Sequence, residues 1–316
     1  MHIFDYSFLK NDLLPAQLVS LASNISMLKV MTNVRKEKKE MSFKQLEEAA
    51  KIESVKASNA IEGIVTTDQR IRAIVGGGAP LNHTEAEIAG YRDVLNEVHV
   101  NFAVHDFREN DIRAFHAQMM HLANPADTPE TMRQLTLAYV QARDDVAINK
   151  LLLIPCVILD FLCVHPFADG NGRLSRLLTL LLLYRNGFDA GKYISFEGTV
   201  NSRKMEYYDA LKASSEGWDE NRPHYFPFMV DFLMTLYFCY SELDKRFAAV
   251  NAEKLTKKSR IESTVLNSFT PLSKSDICGI LPDVSPSTVE VVLGEMIRSG
   301  RIRRLGAGRA SKYLKA

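Results

Sequence analysis

Apolar positions recur at three- and four-residue intervals along most of this chain, the spacing of one buried face of a helix. Residues 82–99 set Ile88, Tyr91, Val94, Leu95 and Val98 on one side, and residues 112–122 do the same with Phe115, Met119 and Leu122. Residues 130–143 carry Met132, Leu135, Tyr139 and Val140. Residues 43–63 read as one helix with Leu46, Ala49, Ala50 and Ile52 inward, stopped by Gly63, which suits the position just past a helix end. At the N-terminus Phe4, Phe8, Leu13, Leu14, Leu18 and Leu21 are irregularly spaced. Pro15 fits the first turn of a helix running on to Met31.

Two segments are more than amphipathic. Residues 151–164 are nearly all apolar, which predicts a buried central helix. Pro155 should kink it or mark its first turn, and Asp160 reads as a buried, hydrogen-bonded carboxylate. Residues 226–247 predict a long aromatic helix. Between these, Leu174, Leu177, Leu178 and Leu181 form a core stripe that ends at Asn186 and Gly187. Residues 193–196 read as extended, and residues 201–214 as an amphipathic helix through Met205, Tyr208 and Leu211. Residues 66–80, with Gly76, Gly77 and Gly78 in succession, read as a flexible loop. The expectation is an all-α helical bundle with short loops.

The C-terminal part has its own rhythm. Residues 251–260, with the run KLTKKSR, read as a linker. Beyond it come a short helix over 261–269, a helix over 274–280 capped by Ser273, and one over 288–298 capped by Ser285 or Ser287. Val289, Val292, Leu293, Met296 and Ile297 face inward in the last of these. Residues 301–305 and 311–314 then form a Gly-linked hairpin. This order resembles a winged helix-turn-helix over 261–316. Its wing carries Arg301, Arg303, Arg304, Arg309, Lys312 and Lys315 and no acid, which suits phosphate contacts. A protein-docking or dimerisation module that keeps the fold fits equally well, because the start of the second helix is not strongly basic.

Composition narrows the class. The chain has 316 residues, 46% hydrophobic and 24% charged, with a formal net charge of +1. These are the proportions of a water-soluble globular protein, and no overall field announces a nucleic-acid partner. Cys156, Cys163, Cys239 and Cys278 form no CxxC pair, and read as reduced thiols with no metal or disulfide role. The start MHIFDYSFLK lacks a secretory pattern, and the apolar run 177–183 is too short to span a membrane. A cytoplasmic location is expected. The charge run over 35–39 (RKEKK) reads as a solvated helix end.

The chemistry is concentrated in HPFADGNGRLSR, residues 165–176, a polar, glycine-containing loop that opens a helix. His165 offers a base and Asp169 a hard oxygen ligand. Gly170 and Gly172 permit close backbone approach. A helix beginning near Asn171 points its positive end at the ligand, which suits phosphate. Arg173 and Arg176 lie three apart, on one helix face. Phe167 reads as an apolar anchor. Such a set suits phosphate-transfer chemistry without a covalent nucleophile. His116 and His121 show no metal spacing and read as structural or surface residues.

These residues match the motif H-x-F-x-D/E-G-N-G-R-x-x-R at every defined position, and the chain resembles the Fic family. The resemblance implies a Fic helical core over 81–250, preceded by an N-terminal helical region over 1–80. It also implies transfer of AMP from ATP to a Ser, Thr or Tyr hydroxyl of a protein target. His165 would take the hydroxyl proton, and Asp169 would hold Mg2+. Gly170, Gly172 and the Asn171 side chain would cradle the phosphates, and Arg173 and Arg176 would bind the outer ones. Gly172 agrees with nucleotidyl transfer, since phosphoryl-transferring relatives carry Lys there. The stretch SNAIEG, with Ser58, Glu62 and Gly63, resembles the family's inhibitory motif S/T-x-x-x-E-G/N. Glu62 would then pair with Arg176 and displace the γ-phosphate. A target-holding β-hairpin is usual in the family, but residues 124–129 are too short to form one. De-AMPylation, transfer of another nucleotide, and a DNA-binding regulator with a nucleotide-sensing core stand as alternatives. Partners outside the site would be DNA through 261–316 or a second copy of the chain.

Overall fold

The computed structural model describes residues 2–36, 40–250, 256–266, 268, 270–306, 308 and 311–315. The chain divides into two compact units, Met1–Tyr240 and Ser241–Ala316. The first is built of helices: α1 (Phe8–Asn11), α2 (Ala16–Lys36), α3 (Glu40–Ile61), α4 (Asp68–Val75), α5 (His83–Asn101), α6 (Glu109–Met119) and α7 (Glu130–Asp144). There follow α8 (Lys150–Val164), α9 (Asn171–Arg185), α10 (Phe196–Ser202), α11 (Lys204–Ser215) and α12 (Phe226–Val250), which ends in the second unit. No helix among the described residues is long and apolar enough to cross a membrane.

Helices α8 and α9 form the centre. The side chains from Leu151 to Phe161 are all buried, and so are those from Arg173 to Tyr184. Residue α8 Asp160 is the polar exception expected there. It accepts hydrogen bonds from Tyr6 Oη (2.7 Å), Trp218 Nε1 (2.8 Å) and Tyr225 Oη (3.1 Å). Three donors offset much of the cost of burying a carboxylate, and they tie the N-terminal segment to α8. Burial still raises its pKa from 3.8 to about 6.

The inward stripe of α3 is Phe43, Leu46, Ala50, Ser54, Ala57, Ser58 and Ile61. Ala49 is exposed and Ile52 only half-buried, because both lie off this three-four stripe. Helix α3 packs on α10, α5 and α9. Its contacts are partly polar: Ser54 Oγ donates to Glu197 Oε2 at 2.8 Å and Lys204 Nζ donates to the Ile61 carbonyl at 2.7 Å, while Tyr91 Oη of α5 donates to the other Glu197 oxygen at 2.8 Å.

Several expected boundaries move. The loop over 66–80 contains α4, capped by Thr67 Oγ1 accepting from Arg70 N and anchored by buried Ile71 and Ile74. Residues 193–196 are not extended: a 3-10 turn (Ala190–Lys192) precedes them, and Ser195 caps α10. The helix over 201–214 is two, broken at Arg203. The break changes the phase, so Tyr207 is buried while Met205 is 73% exposed. Helix α6 ends at Met119, which leaves Leu122 exposed. No strand lies among residues 120–129, which Arg113 holds through the Ala126 carbonyl and Asp127.

The second unit contains α13 (Lys257–Leu266), β1 (Leu272–Ser273), α14 (Lys274–Ile280), α15 (Pro286–Arg298), β2 (Ile302–Leu305) and β3 (Lys312–Lys315). Its antiparallel sheet has the order β1-β3-β2, with Leu272 opposite Tyr313 and Ile302 opposite Lys315. Ile261, Val265, Ile277, Leu281, Val289, Leu293 and Met296 make its core. Ser273 forms a reciprocal capping box with Asp276, and Ser285 caps α15. The linker reading is corrected in its second half. Thr256 Oγ1 accepts from Ser259 N, and α13 is already helical at Lys257, since exposed Lys and Arg are good helix formers. Residues 251–255, 267, 269 and 309 lie outside the described residues.

Candidate active site

The loop between α8 and α9 is shaped by backbone conformation that few residues tolerate. His165 ends α8 in the left-handed region (φ 49°, ψ 57°), its N–H donating to the Phe161 carbonyl at 3.1 Å. A non-glycine residue there is strained by about 1–3 kcal/mol, which the surrounding structure must offset. The turn leaves the His165 side chain exposed. Gly170 is also left-handed (φ 83°), and a Cβ on it would meet Met119 Cε at 2.9 Å.

Phe167 and Asn171 fix the loop between these points. Phe167 is buried, its ring stacked on that of His116 with centroids 3.7 Å apart. Asn171 Nδ2 donates to the Phe167 carbonyl at 2.6 Å, and Phe167 N donates to Asn171 Oδ1 at 3.1 Å. Each end of the Asn171 amide thus makes one bond that ties the loop to the start of α9. The first-turn N–H groups of α9 have no helical acceptor, the condition that suits an anion.

His116 was legible only as structural, and it proves to support the motif. Its Nε2 lies 3.0 Å from the Asp169 carbonyl, an acceptor only, so Nε2 carries the proton. Burial lowers its pKa, against the opposing effect of that bond and the Asp169 charge. Asp169 itself has a side chain 72% exposed, one oxygen accepting from Gly170 N at 2.6 Å.

The two arginines are buried, and each faces a carboxylate. Arg173 is 1% exposed, with Nη1 2.9 Å from Glu87 Oε2 and Nη2 3.6 Å from Asp169 Oδ2. Glu87, on α5, carried no signal in the sequence, being one acid among several on an amphipathic helix. Arg176 is 3% exposed. Its Nε donates to Ser58 Oγ at 2.8 Å, and its Nη2 to the Ser58 carbonyl at 3.0 Å and Glu62 Oε1 at 2.7 Å. Burial opposes the Arg176 charge, but the Glu62 carboxylate and the nearby Tyr207 and Tyr91 more than offset this, and its pKa is raised. Gly63, left-handed at φ 79°, ends α3 and leaves Glu62 at the helix mouth. The Glu62 carboxylate crosses the first turn of α9: a Cβ on Gly172 would lie 2.4 Å from its Oε1.

Asp169 is a lone exposed carboxylate. No group of three or more His, Cys, Asp or Glu that could hold a metal exists among the described residues. A single carboxylate beside an anion site suits Mg2+, which is commonly bound by one or two carboxylates together with substrate phosphates.

A left-handed histidine, an exposed acid and a helix N-terminus flanked by buried arginines thus lie together in one helical stretch. Residues 87–183, from α5 to α9, match the sequence model of the Fic/DOC family. A Fido domain-containing protein of Dictyostelium discoideum is 28% identical over 116 residues, covering 37% of this chain and 75% of that protein. A Fic family protein from Desulfovibrio desulfuricans G20 aligns in structure over 96% of this chain and 97% of its own, with a TM-score of 0.61 and 19% identity. A Fic domain-containing signalling protein from Bacteroides thetaiotaomicron aligns over 72% of this chain and 96% of its own, with a TM-score of 0.55 and 18% identity. The family match leaves out α3, with Ser58 and Glu62, and the second unit.

Proposed function

We propose that this chain transfers AMP from ATP to a Ser, Thr or Tyr hydroxyl of a protein, and that Glu62 holds the transfer down until α3 is displaced. The carrying observation is the Glu62–Arg176 bond laid across Gly172. A carboxylate on a buried guanidinium at a helix N-terminus stands where a phosphate would be stabilised. The family match supports the class of chemistry, and Gly172 supports nucleotidyl over phosphoryl transfer.

In this reading His165, exposed at the loop, accepts the target hydroxyl's proton. Mg2+ held by Asp169 would offset charge on the phosphates as pyrophosphate leaves. The first-turn N–H groups of α9 orient the phosphate chain, and Arg173 and Arg176 neutralise its outer end. Asn171, Phe167 and His116 keep the loop in shape.

The experiment is transfer of label from ATP carrying it in the α-phosphate, with Mg2+. It compares the chain as it is, Glu62→Gly, and Glu62→Gly with His165→Ala. Label on protein in Glu62→Gly alone supports both parts. Strong labelling of the unchanged chain removes the inhibition. No labelling of Glu62→Gly, in the presence of cell extract as a source of targets, removes the transfer reading.

For the second unit, the order helix, strand, two helices, two strands supports a winged helix-turn-helix. The outward face of α15 favours protein docking over base reading. It presents Glu290, paired with Lys274 at 2.9 Å, and Val291, 60% exposed. On the wing Arg301 is engaged by Glu262 at 2.9 Å. DNA affinity that falls steeply with salt would reverse this preference.

A further inference from the structure

We propose that Glu87 is the positioning residue for Arg173, fixing the direction in which this cation meets a phosphate; the inference rests on the nucleotidyl-transfer reading above. The Arg173 guanidinium is held at two edges by unlike neighbours. At one edge Glu87 Oε2 lies 2.9 Å from Nη1, its side chain 19% exposed. At the other, Nη2 faces Asp169 Oδ2 at 3.6 Å and Met120 Sδ at 3.7 Å. Asp169 is open to solvent, whereas Glu87 is largely covered. The second Glu87 oxygen reaches only the exposed His83, at 3.5 Å.

This asymmetry matters because Arg173 and Asp169 must act separately. In the proposed reaction Asp169 turns to the metal and Arg173 to the phosphates. A buried cation whose one remaining neighbour is Asp169 would close on it, since an unpaired buried charge is costly. Glu87 prevents this by holding the opposite edge. It does so by charge and proximity, since Nε and Nη1 are buried and neither has an aligned hydrogen-bond acceptor among the described residues. Glu62 is different in kind. It comes from α3, outside the family stretch, and lies against Gly172 on the anion side. Removing Glu62 uncovers an arginine, whereas removing Glu87 unmoors one.

The test uses the full chain carrying Glu62→Gly and measures ATP affinity with Mg2+ by calorimetry. Four forms are compared: this background alone, with Glu87→Ala, with Arg173→Ala, and with both. Glu87→Ala is expected to weaken ATP binding about tenfold, the scale of one charge-assisted contact. Arg173→Ala should weaken it at least as much. Glu87→Ala should then add nothing to Arg173→Ala, because it acts only through that side chain. Glu87→Gln, which keeps the shape and an acceptor oxygen, should recover part of the loss. An unchanged affinity in Glu87→Ala overturns the proposal, as does an equal loss with and without Arg173. A lowered Tm with unchanged affinity also overturns it, since that marks a structural role alone. A background form that binds no ATP fails the nucleotidyl-transfer reading and takes the proposal with it.

Discussion

Glu62 bonds Arg176 at 2.7 Å only because residue 172 has no Cβ, which would stand 2.4 Å from the Glu62 carboxylate. The contact joins the end of α3, outside the family stretch, to the second turn of α9, and its strength depends on a glycine belonging to neither partner.

Removing the carboxylate should release the site. Glu62→Gly is expected to raise label transfer from ATP by about tenfold or more, the scale of a hydrogen bond between charged groups. Adding His165→Ala should return transfer to background. Initial rates of protein labelling decide both.

Gly172→Ala separates the glycine's role in folding from its role under Glu62. Alanine is favoured over glycine inside a helix by about 1 kcal/mol. With Glu62→Gly the substitution should therefore raise stability by about that much. With Glu62 in place the new methyl displaces the carboxylate from Arg176, and the gain should vanish or reverse. Denaturant unfolding of the four forms measures the difference.

Asp160 predicts a pH dependence of stability. Its pKa is raised from 3.8 to about 6 by burial, so the folded state binds this proton more tightly than the unfolded chain. The contribution is fully present below about pH 4 and is lost as pH rises through about 6. Two pH units correspond to about 3 kcal/mol. The stability of the unchanged chain minus that of Asp160→Asn should fall across this window and be flat above it. A difference that does not change between pH 4 and 6 contradicts the assignment.

His116 should matter to the reaction without touching a substrate. His116→Ala removes the stack on Phe167 and the bond to the Asp169 carbonyl. In the Glu62→Gly background, label transfer is expected to fall about tenfold to a hundredfold, since small misplacements of reacting groups are costly. His116→Gln, which keeps a donor, should lose less. The ratio of kcat between the two variants checks the bond separately from the packing.

The site was unequally legible in the sequence. The loop from His165 to Arg176 was readable because glycines, a helix start and charged residues at fixed intervals are local features. Ser58 and Glu62 were readable only by resemblance, since nothing in SNAIEG says which cation it meets. Glu87 and His116 were not readable as parts of the site, because each acts on a residue far away in the chain. The misplaced elements have local causes: a short capped helix hidden beside three glycines at α4, and a phase change at Arg203 between α10 and α11.

By itself the sequence determined the helical architecture, the apolar α8 and α9 that form its centre, and the residue types of the glycine-containing loop between them, because periodicity and backbone preference act over a few residues. The tertiary structure alone decided which carboxylate faces which arginine, and that the Asn171 amide ties down the loop at Phe167. Those outcomes depend on how α3 and α5 pack around α9. Burial of a charge is then settled by whichever partner the packing brings within about 3 Å, however distant in sequence.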